Sequence, residues 1–262
     1  MTTEDTTGKN VLIVSAHPER RSLNAALAAL AAGELGAAGH RVRTSDLYAM
    51  KWKAGVDADD FPAHDPADRL DVMAASERAT AGGALTADVT AEQEKLLWAD
   101  AVILQFPLWW FGVPALLKGW IDRVFTAGFG YGTTGRWPHY GDGRLAGRRA
   151  LVSVTIGAGA PSFSARGIHG SLHDVLFPLQ HGLFFYTGME VLEPFAVYDA
   201  AGLGEADFPR VAGDYRARLR GLFGEEPLPY RRLGDGDYTR QLELREDFAL
   251  PENAGPGVHL RR

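Results

Sequence analysis

Residues 100–131 read DAVILQFPLWWFGVPALLKGWIDRVFTAGFGY, and this stretch decides the fold. It begins as a strand, Ala101–Phe106, and ends as a helix from about Val113 to Thr126. Between them lies Pro107-Leu108-Trp109-Trp110-Phe111-Gly112-Val113-Pro114, a loop with three large aromatics. Loops usually run over the surface and are polar. An aromatic loop at the carboxyl end of a strand is where an open α/β sheet takes a flat ligand. A planar cofactor is the first expectation; the plainer reading is a core aromatic cluster with Pro and Gly shaping the turn.

The flanking segments extend the same alternation. Val11–Ala16 is a short β-branched apolar run, the pattern of a buried parallel strand. A polar turn through His17-Pro18-Glu19-Arg20-Arg21 follows, and Ser22 caps an Ala- and Leu-rich helix that stops at Gly39. Arg41–Leu47 supplies the second strand of a β-α-β unit. Residues 49–89 read as an irregular insertion with one helix near Pro66–Thr80. Thr90 and Gln93 have capping-box spacing at the start of the next helix. Further on come a strand at Ala150–Ile156, a helix over Gly170–Phe177, a last strand over Val191–Val197 and an amphipathic helix over Phe208–Phe223. This predicts an α/β fold, a doubly wound parallel five-stranded sheet of order 2-1-3-4-5 with helices on both faces. Residues 1–224 form that domain. Residues 225–262 lack a long apolar helical pattern and read as an extended C-terminal arm, expected to pack on a partner subunit.

Composition narrows the class. The 262 residues are 46% hydrophobic and 23% charged, as in a soluble globular protein with a normal core. The net charge of −6, without any basic block, argues against nucleic acid and anionic membrane as partners. The absence of cysteine removes disulfides, thiol nucleophiles and cysteine-held metals, and no metal site is expected. The segment MTTEDTTGKN lacks a signal-peptide pattern, and no apolar run nears the roughly 20 residues of a membrane span. The expectation is a cytoplasmic protein.

In such a sheet the loops after neighbouring strands share one crevice, and three of them are informative. Ala16–Asn24 lacks a GxGxxG fingerprint, yet it leads into a helix N-terminus, with His17, Arg20, Arg21 and Ser22 as donors for a phosphate. It reads equally as a capped helix start with exposed charges. Pro107–Pro114 reads as a wall for an isoalloxazine ring, its N–H groups facing the polar ring edge. Thr155–Gly170, TIGAGAPSFSARGIHG, has small residues that permit close backbone approach. Its His169 is an acid/base candidate because imidazole titrates near neutrality, although a lone histidine is often structural.

At this point the chain resembles the NAD(P)H:quinone oxidoreductases of the DT-diaphorase type, a flavodoxin-like family. The resemblance is carried by AHPERRSLN (16–24), SDLYAM (45–50), QFPLWWFGVPALLKGWIDRVF (105–125), GIHG (167–170) and VLEP (191–194). It implies a homodimer with one FAD per subunit, FMN fitting less well, and active sites at the subunit interface. It implies two-electron hydride transfer from NAD(P)H through the flavin to a quinone-like acceptor, in two half-reactions sharing one pocket. By position it places His17, Leu23 and Asn24 beside the FAD pyrophosphate and adenosine, and Arg210 near the adenine. Pro107, Leu108, Trp109, Trp110 and Phe111 would follow the isoalloxazine, with Thr155, Ile156, Gly157 and Ala158 as the second flavin loop. Tyr131 would stand at the mouth of a substrate pocket lined by Trp110 and Phe111. His169 would be the histidine that stabilises charge on the reduced flavin.

Several positions depart from the family pattern. Phe163 stands where the family has a tyrosine that works with the histidine, and it has no hydroxyl to donate. His169 then acts alone, or Ser162 or Ser164 supplies the hydroxyl. Thr133 replaces a second pocket tyrosine, Trp109 a glutamine, and Ile156 a threonine. These changes predict an acceptor preference unlike that for small simple quinones. The alternatives are an azo, nitro or natural-product quinone reductase on the same scaffold, and a flavin-binding regulatory subunit of a potassium-efflux system.

Overall fold

The computed structural model describes residues 8–133, 137–250 and 255–261. Its sheet is built on β1 (Asn10–Ser15), whose NVLIVS alternates between two buried faces. Leu12 and Val14 enter one core with Leu104 and Phe106, while Val11 and Ile13 enter another with Ile103 and Leu151. Strand side chains alternate with period two, so a strand covered on both faces is apolar throughout. β3 (Ala101–Pro107) and β4 (Arg149–Thr155) are accordingly buried at every position.

The strands are parallel and run in the order β2-β1-β3-β4-β5, with β2 at Arg41–Asp46 and β5 at Glu190–Val191. A sixth strand, β6 (Phe195–Val197), also pairs with β4. The expected single strand over Val191–Val197 is therefore two pieces. Ala150 faces Val191, but Ser153 faces Phe195, so the outer strand holds one residue more than its partner. That is a bulge, and Pro194 within it has no N–H to pair.

α1 (Leu23–Ala37) and α6 (Phe208–Arg220) cover one face, through Leu27, Ala31, Leu35, Val211, Tyr215 and Leu219. α1 starts at Ser22, whose hydroxyl accepts from the Ala25 N–H, and stops at Gly39, whose φ of 88° a side chain would resist. The other face carries α3 (Ala87–Trp98), α4 (Ala115–Val124) and α5 (Leu172–Leu179), the last continuing into one turn of π-helix, Gln180–Phe185.

Two expectations about the insertion need correction. Its helix α2 is Val72–Gly82, not Pro66–Thr80, because Asp71 caps it while Asp65 folds residues 65–68 into a turn of their own. Thr90 lies inside α3 and caps nothing. Gln93 turns inward instead, donating to Val124 O at 2.9 Å and Thr126 Oγ1 at 3.0 Å, and so satisfies the end of α4. The insertion is fastened at Arg123, whose guanidinium binds Asp60 and Asp88, each at 2.7 Å, and lies 4.6 Å over the Trp52 ring.

The arm begins on its own subunit. Tyr230 is buried in the main core, Leu260 packs against that core, and the two residues form an isolated antiparallel bridge. The Leu228 N–H donates to Val191 O at 2.7 Å, along the free edge of β5. Among the described residues no helix is long and apolar enough to cross a membrane, and no acidic or histidine cluster suits a metal ion.

Candidate active site

The crevice lies at the carboxyl ends of β1, β3 and β4. A buried neutral chain of side chains braces these three ends together. Asn24 donates to Thr155 Oγ1 at 2.8 Å and accepts from Gln105 Nε2 at 2.9 Å, and Ser153 donates to Gln105 Oε1 at 2.6 Å. Each of these groups is paired, which is the condition under which buried polar atoms rigidify a structure. Asn24 and Thr155 thus hold the crevice floor. Ile156, also expected at a cofactor, has its side chain in the core and its N–H on Val197 O.

Above this floor the aromatic loop makes one tight turn. Trp109 and Gly112 exchange two backbone hydrogen bonds, of 3.1 and 3.0 Å, and the Leu108 N–H anchors the turn to Thr155 O at 2.8 Å. Its corners are Trp110 and Phe111, with φ of 49° and 60°. Consecutive positive φ values belong to the mirror-image turns that Gly and Asn favour. For a side-chain-bearing residue this conformation costs about 1–2 kcal/mol each. The turn also leaves Trp110 97% exposed. Strain joined to apolar exposure is uncommon in a loop without a ligand role.

The second wall faces it. His169 sits 5.1 Å from the Phe111 ring and 5.0 Å from Phe163, which is itself 6.4 Å from Phe111. Phe163 is buried, so it shapes the wall without supplying a proton. The Ser162 and Ser164 hydroxyls donate to Gly159 O and Pro161 O, at 2.7 and 2.9 Å, so neither is aimed at the histidine. The nearest phenol is Tyr198, its ring 6.1 Å from Phe163, and burial raises its hydroxyl above the ordinary tyrosine range. Sequence reading missed Tyr198, because only the pairing of β6 with β4 brings it there. Gly157 borders open space, and the N–H groups of Trp110, Phe111, Gly157 and Ala158 donate to no carbonyl among the described residues.

At the other end of the crevice His17 Nδ1 lies 3.1 Å from the Glu19 N–H and 3.2 Å from Glu19 O. His17 also lies 6.2 Å from the Trp109 ring. Ser22 and Leu23 line a cavity of about 330 Å³ with Leu203 and Phe208. Arg210 stands one turn away from it, exposed, and pairs with Asp214 at 3.7 Å.

Tyr131 and Thr133 are not gathered with these residues. Tyr131 lines a separate cavity of about 400 Å³ with Phe61, Leu85, Ile121, Arg123 and Tyr186. Thr133 bonds the Glu77 carboxylate on α2.

A family model described as flavodoxin-like fold matches residues 9–219. The ribosyldihydronicotinamide dehydrogenase-like protein traD of Penicillium crustosum is 48% identical over 96% of this chain and 95% of its own. Rat NAD(P)H dehydrogenase [quinone] 1 is 38% identical over 84% of this chain and 80% of its own. The solved structure of a candidate quinone reductase from Klebsiella pneumoniae is 47% identical, with a TM-score of 0.93 over 97% of this chain and 100% of that one. The chain belongs to the flavodoxin-like NAD(P)H:quinone oxidoreductase family. It is an oxidoreductase of the quinone-type NAD(P)H dehydrogenase class. Within the same fold, general stress protein 14 of Treponema denticola was solved in complex with FMN; it is 26% identical over 81% of this chain and 99% of its own, with a TM-score of 0.55.

Proposed function

We propose that this enzyme is a flavin-dependent NAD(P)H:quinone oxidoreductase that holds FAD between the Trp109–Gly112 turn and the Gly157–His169 wall. The observation carrying this reading is the strained turn that exposes Trp110 beside uncommitted N–H groups. These residues fit a planar ring with a polar edge: donors stand at one border and aromatic rings on the faces. Bound flavin supplies two-electron hydride chemistry, taken up from a reduced nicotinamide and delivered to a quinone-like acceptor in alternation. FAD is favoured over FMN because the cavity at Ser22, Leu23, Leu203 and Phe208 leaves room beyond the start of α1 for an adenosine.

The side chains divide the remaining tasks. The N-terminal N–H groups of α1 and the His17 ring receive the pyrophosphate. Trp110 and Phe111 exclude water from the ring face. His169 holds a proton at the border of the crevice, where negative charge develops on reduction. Phe163 keeps that wall apolar, so the histidine acts without a neighbouring phenol in direct contact.

Tyr131 reaches the chemistry in this reading through a homodimer, in which a second copy closes the crevice. An apolar groove of about 380 Å³ beside Phe111, lined by Val113, Ile121, Val175 and Leu179, supports such a contact. The outer part of the arm, with exposed Leu242 and Leu250, is the segment we assign to the partner surface. The reaction and its pyridine nucleotide suit the cytoplasm.

Purified protein should be yellow, release FAD on denaturation by mass, and bleach anaerobically with NADH or NADPH. His169→Ala should lower kcat by about 10²-fold or more while FAD stays bound. Colourless protein that no flavin restores would overturn the reading. A broader acceptor range, including azo, nitro and larger quinone compounds, is favoured by the open apolar mouth, where Trp110 is joined by Ile168, 91% exposed. Comparing kcat/KM for menadione, an azo dye and a nitrofuran measures it.

A further inference from the structure

Arg166 has no place in the chemistry described so far. It lies on the loop that carries Phe163 and His169, and it is exposed. The loop beneath it is stiff. The His169 N–H closes it on Ser162 O at 3.0 Å, and the Gly167 N–H donates to Ser164 O at 2.9 Å. Gly167 packs so closely that a Cβ there would lie 2.2 Å from Ser162 O, so the tip has one shape. The Arg166 N–H itself leans on Ser164 Oγ at 3.4 Å. A guanidinium is thereby presented to solvent from a fixed base, three residues from His169.

Other cations at this end of the sheet are engaged or turned elsewhere. Lys118 pairs with Asp122 at 2.7 Å, Arg210 with Asp214 at 3.7 Å, and Arg21 with Glu19 at 3.3 Å. Arg20 lines a cavity that it shares with Asp46. Arg166 has no carboxylate partner among the described residues. In a chain of net charge −6, an uncompensated guanidinium at the mouth of a redox crevice is a place for an anion. A hydride donor whose nicotinamide lies near Phe111 and His169, 5.1 Å apart, has this exposed loop beside it for the rest of the molecule. In NAD(P)H that remainder carries phosphates; in a reduced nicotinamide riboside it carries none.

We propose that Arg166 binds a phosphate of the hydride donor and so makes this enzyme prefer a phosphorylated dinucleotide over a reduced nicotinamide riboside. The proposal rests on the oxidoreductase reading above. Arginine suits the task because its planar fork meets two phosphate oxygens at once.

The test is anaerobic stopped-flow reduction of the FAD-loaded enzyme by NADH, NADPH and dihydronicotinamide riboside, for the wild type, Arg166→Ala and Arg166→Lys. A hydrogen-bonded charge pair at this exposure corresponds to about a tenfold change in donor affinity. The alanine variant should weaken NADH and NADPH by about that factor at an unchanged limiting rate. The riboside should stay within about twofold, and lysine should recover part of the loss. Raising salt should weaken NADPH for the wild type more than for the alanine variant, since exposed charges are screened. Calorimetric titration of the oxidised enzyme with NADP⁺ should show the same loss without turnover. Equal changes for all three donors, or none for the dinucleotides, would overturn the proposal. Bleaching by none of the three in the wild type would instead sink the oxidoreductase reading, and this inference with it.

Discussion

The Trp109–Gly112 turn and the Arg123 clasp flank the same helix, α4, and treat their polar groups in opposite ways. At the clasp a guanidinium 2% exposed meets a carboxylate 6% exposed, with a second carboxylate and an indole ring completing its contacts. At the turn two aromatic residues hold a conformation meant for glycine, and backbone donors beside them bond to no carbonyl among the described residues. The first region pairs its buried charges; the second breaks several local rules at once. Such violations gather where a ligand completes the structure. The contrast marks the clasp as architecture and the turn as the candidate site, although both lie next to cavities.

That contrast can be broken most forcefully at the clasp. Arg123→Met removes the nearer of the two cations on buried Asp60 and leaves Lys53 at 3.3 Å; losing one partner of a buried pair costs about 3–5 kcal/mol, and the lower end is expected here. Urea unfolding should show this loss, with the flavin spectrum of the folded fraction unchanged. A loss under about 1 kcal/mol would mean that the clasp is not the fastening described here.

Acid separates the two sides of the molecule next. Burial works to raise the Asp88 carboxyl, but Arg123 and Thr86 outweigh it and hold it below the usual carboxylate range. The clasp should therefore persist until pH falls under about 4. On the site's side, His181 in the π-turn stacks on Phe177 at 4.5 Å and on His259 of the arm at 5.2 Å. Burial, with His259 adding to it, lowers His181 from 6.5 to about 4. Its folded pKa lies below the unfolded one, so the unfolded chain takes the proton first. The stability it contributes is complete above about pH 6.5 and is lost as pH falls towards 4, on the order of 3 kcal/mol in all. His181→Phe, which keeps the stack, should flatten stability between pH 6.5 and 4; an unchanged slope would assign the acid sensitivity elsewhere.

The smallest effect sharpens the reading of the turn. Trp110→Asn places a residue tolerant of positive φ at the strained corner and should stabilise the flavin-free protein by about 1 kcal/mol. The same change should weaken FAD retention during dialysis. If stability falls instead, the turn is held by packing and is not under strain.

Much of this was legible in the sequence, and the boundary is physical. The β-branched runs and the Ser22 and Gly39 signals are local, so sheet order and α1 followed from them. The aromatic loop was visible because its composition defies its position. The insertion was read less well: Gln93 responds to Val124, far along the chain, and Asp65 and Asp71 are two local caps of which only the second starts a helix. Nothing local reveals that Asn24 and Thr155 bond each other, or that Gln105 bonds Asn24 and is itself held by Ser153. Tyr198 went unnoticed for the same reason, its neighbour Phe163 being 35 residues away only in sequence terms.

The bulge between β5 and β6 carries a consequence for solubility. It falls on the outermost strand, where unpaired backbone groups invite another chain to add itself as a further strand. Pro194 withholds a donor, the extra residue spoils the register, and Leu228 of the arm occupies Val191 O. The arm is thus also a guard strip: a chain ending near Gly224 would lose Tyr230 from the main core and bare the edge along which sheets aggregate.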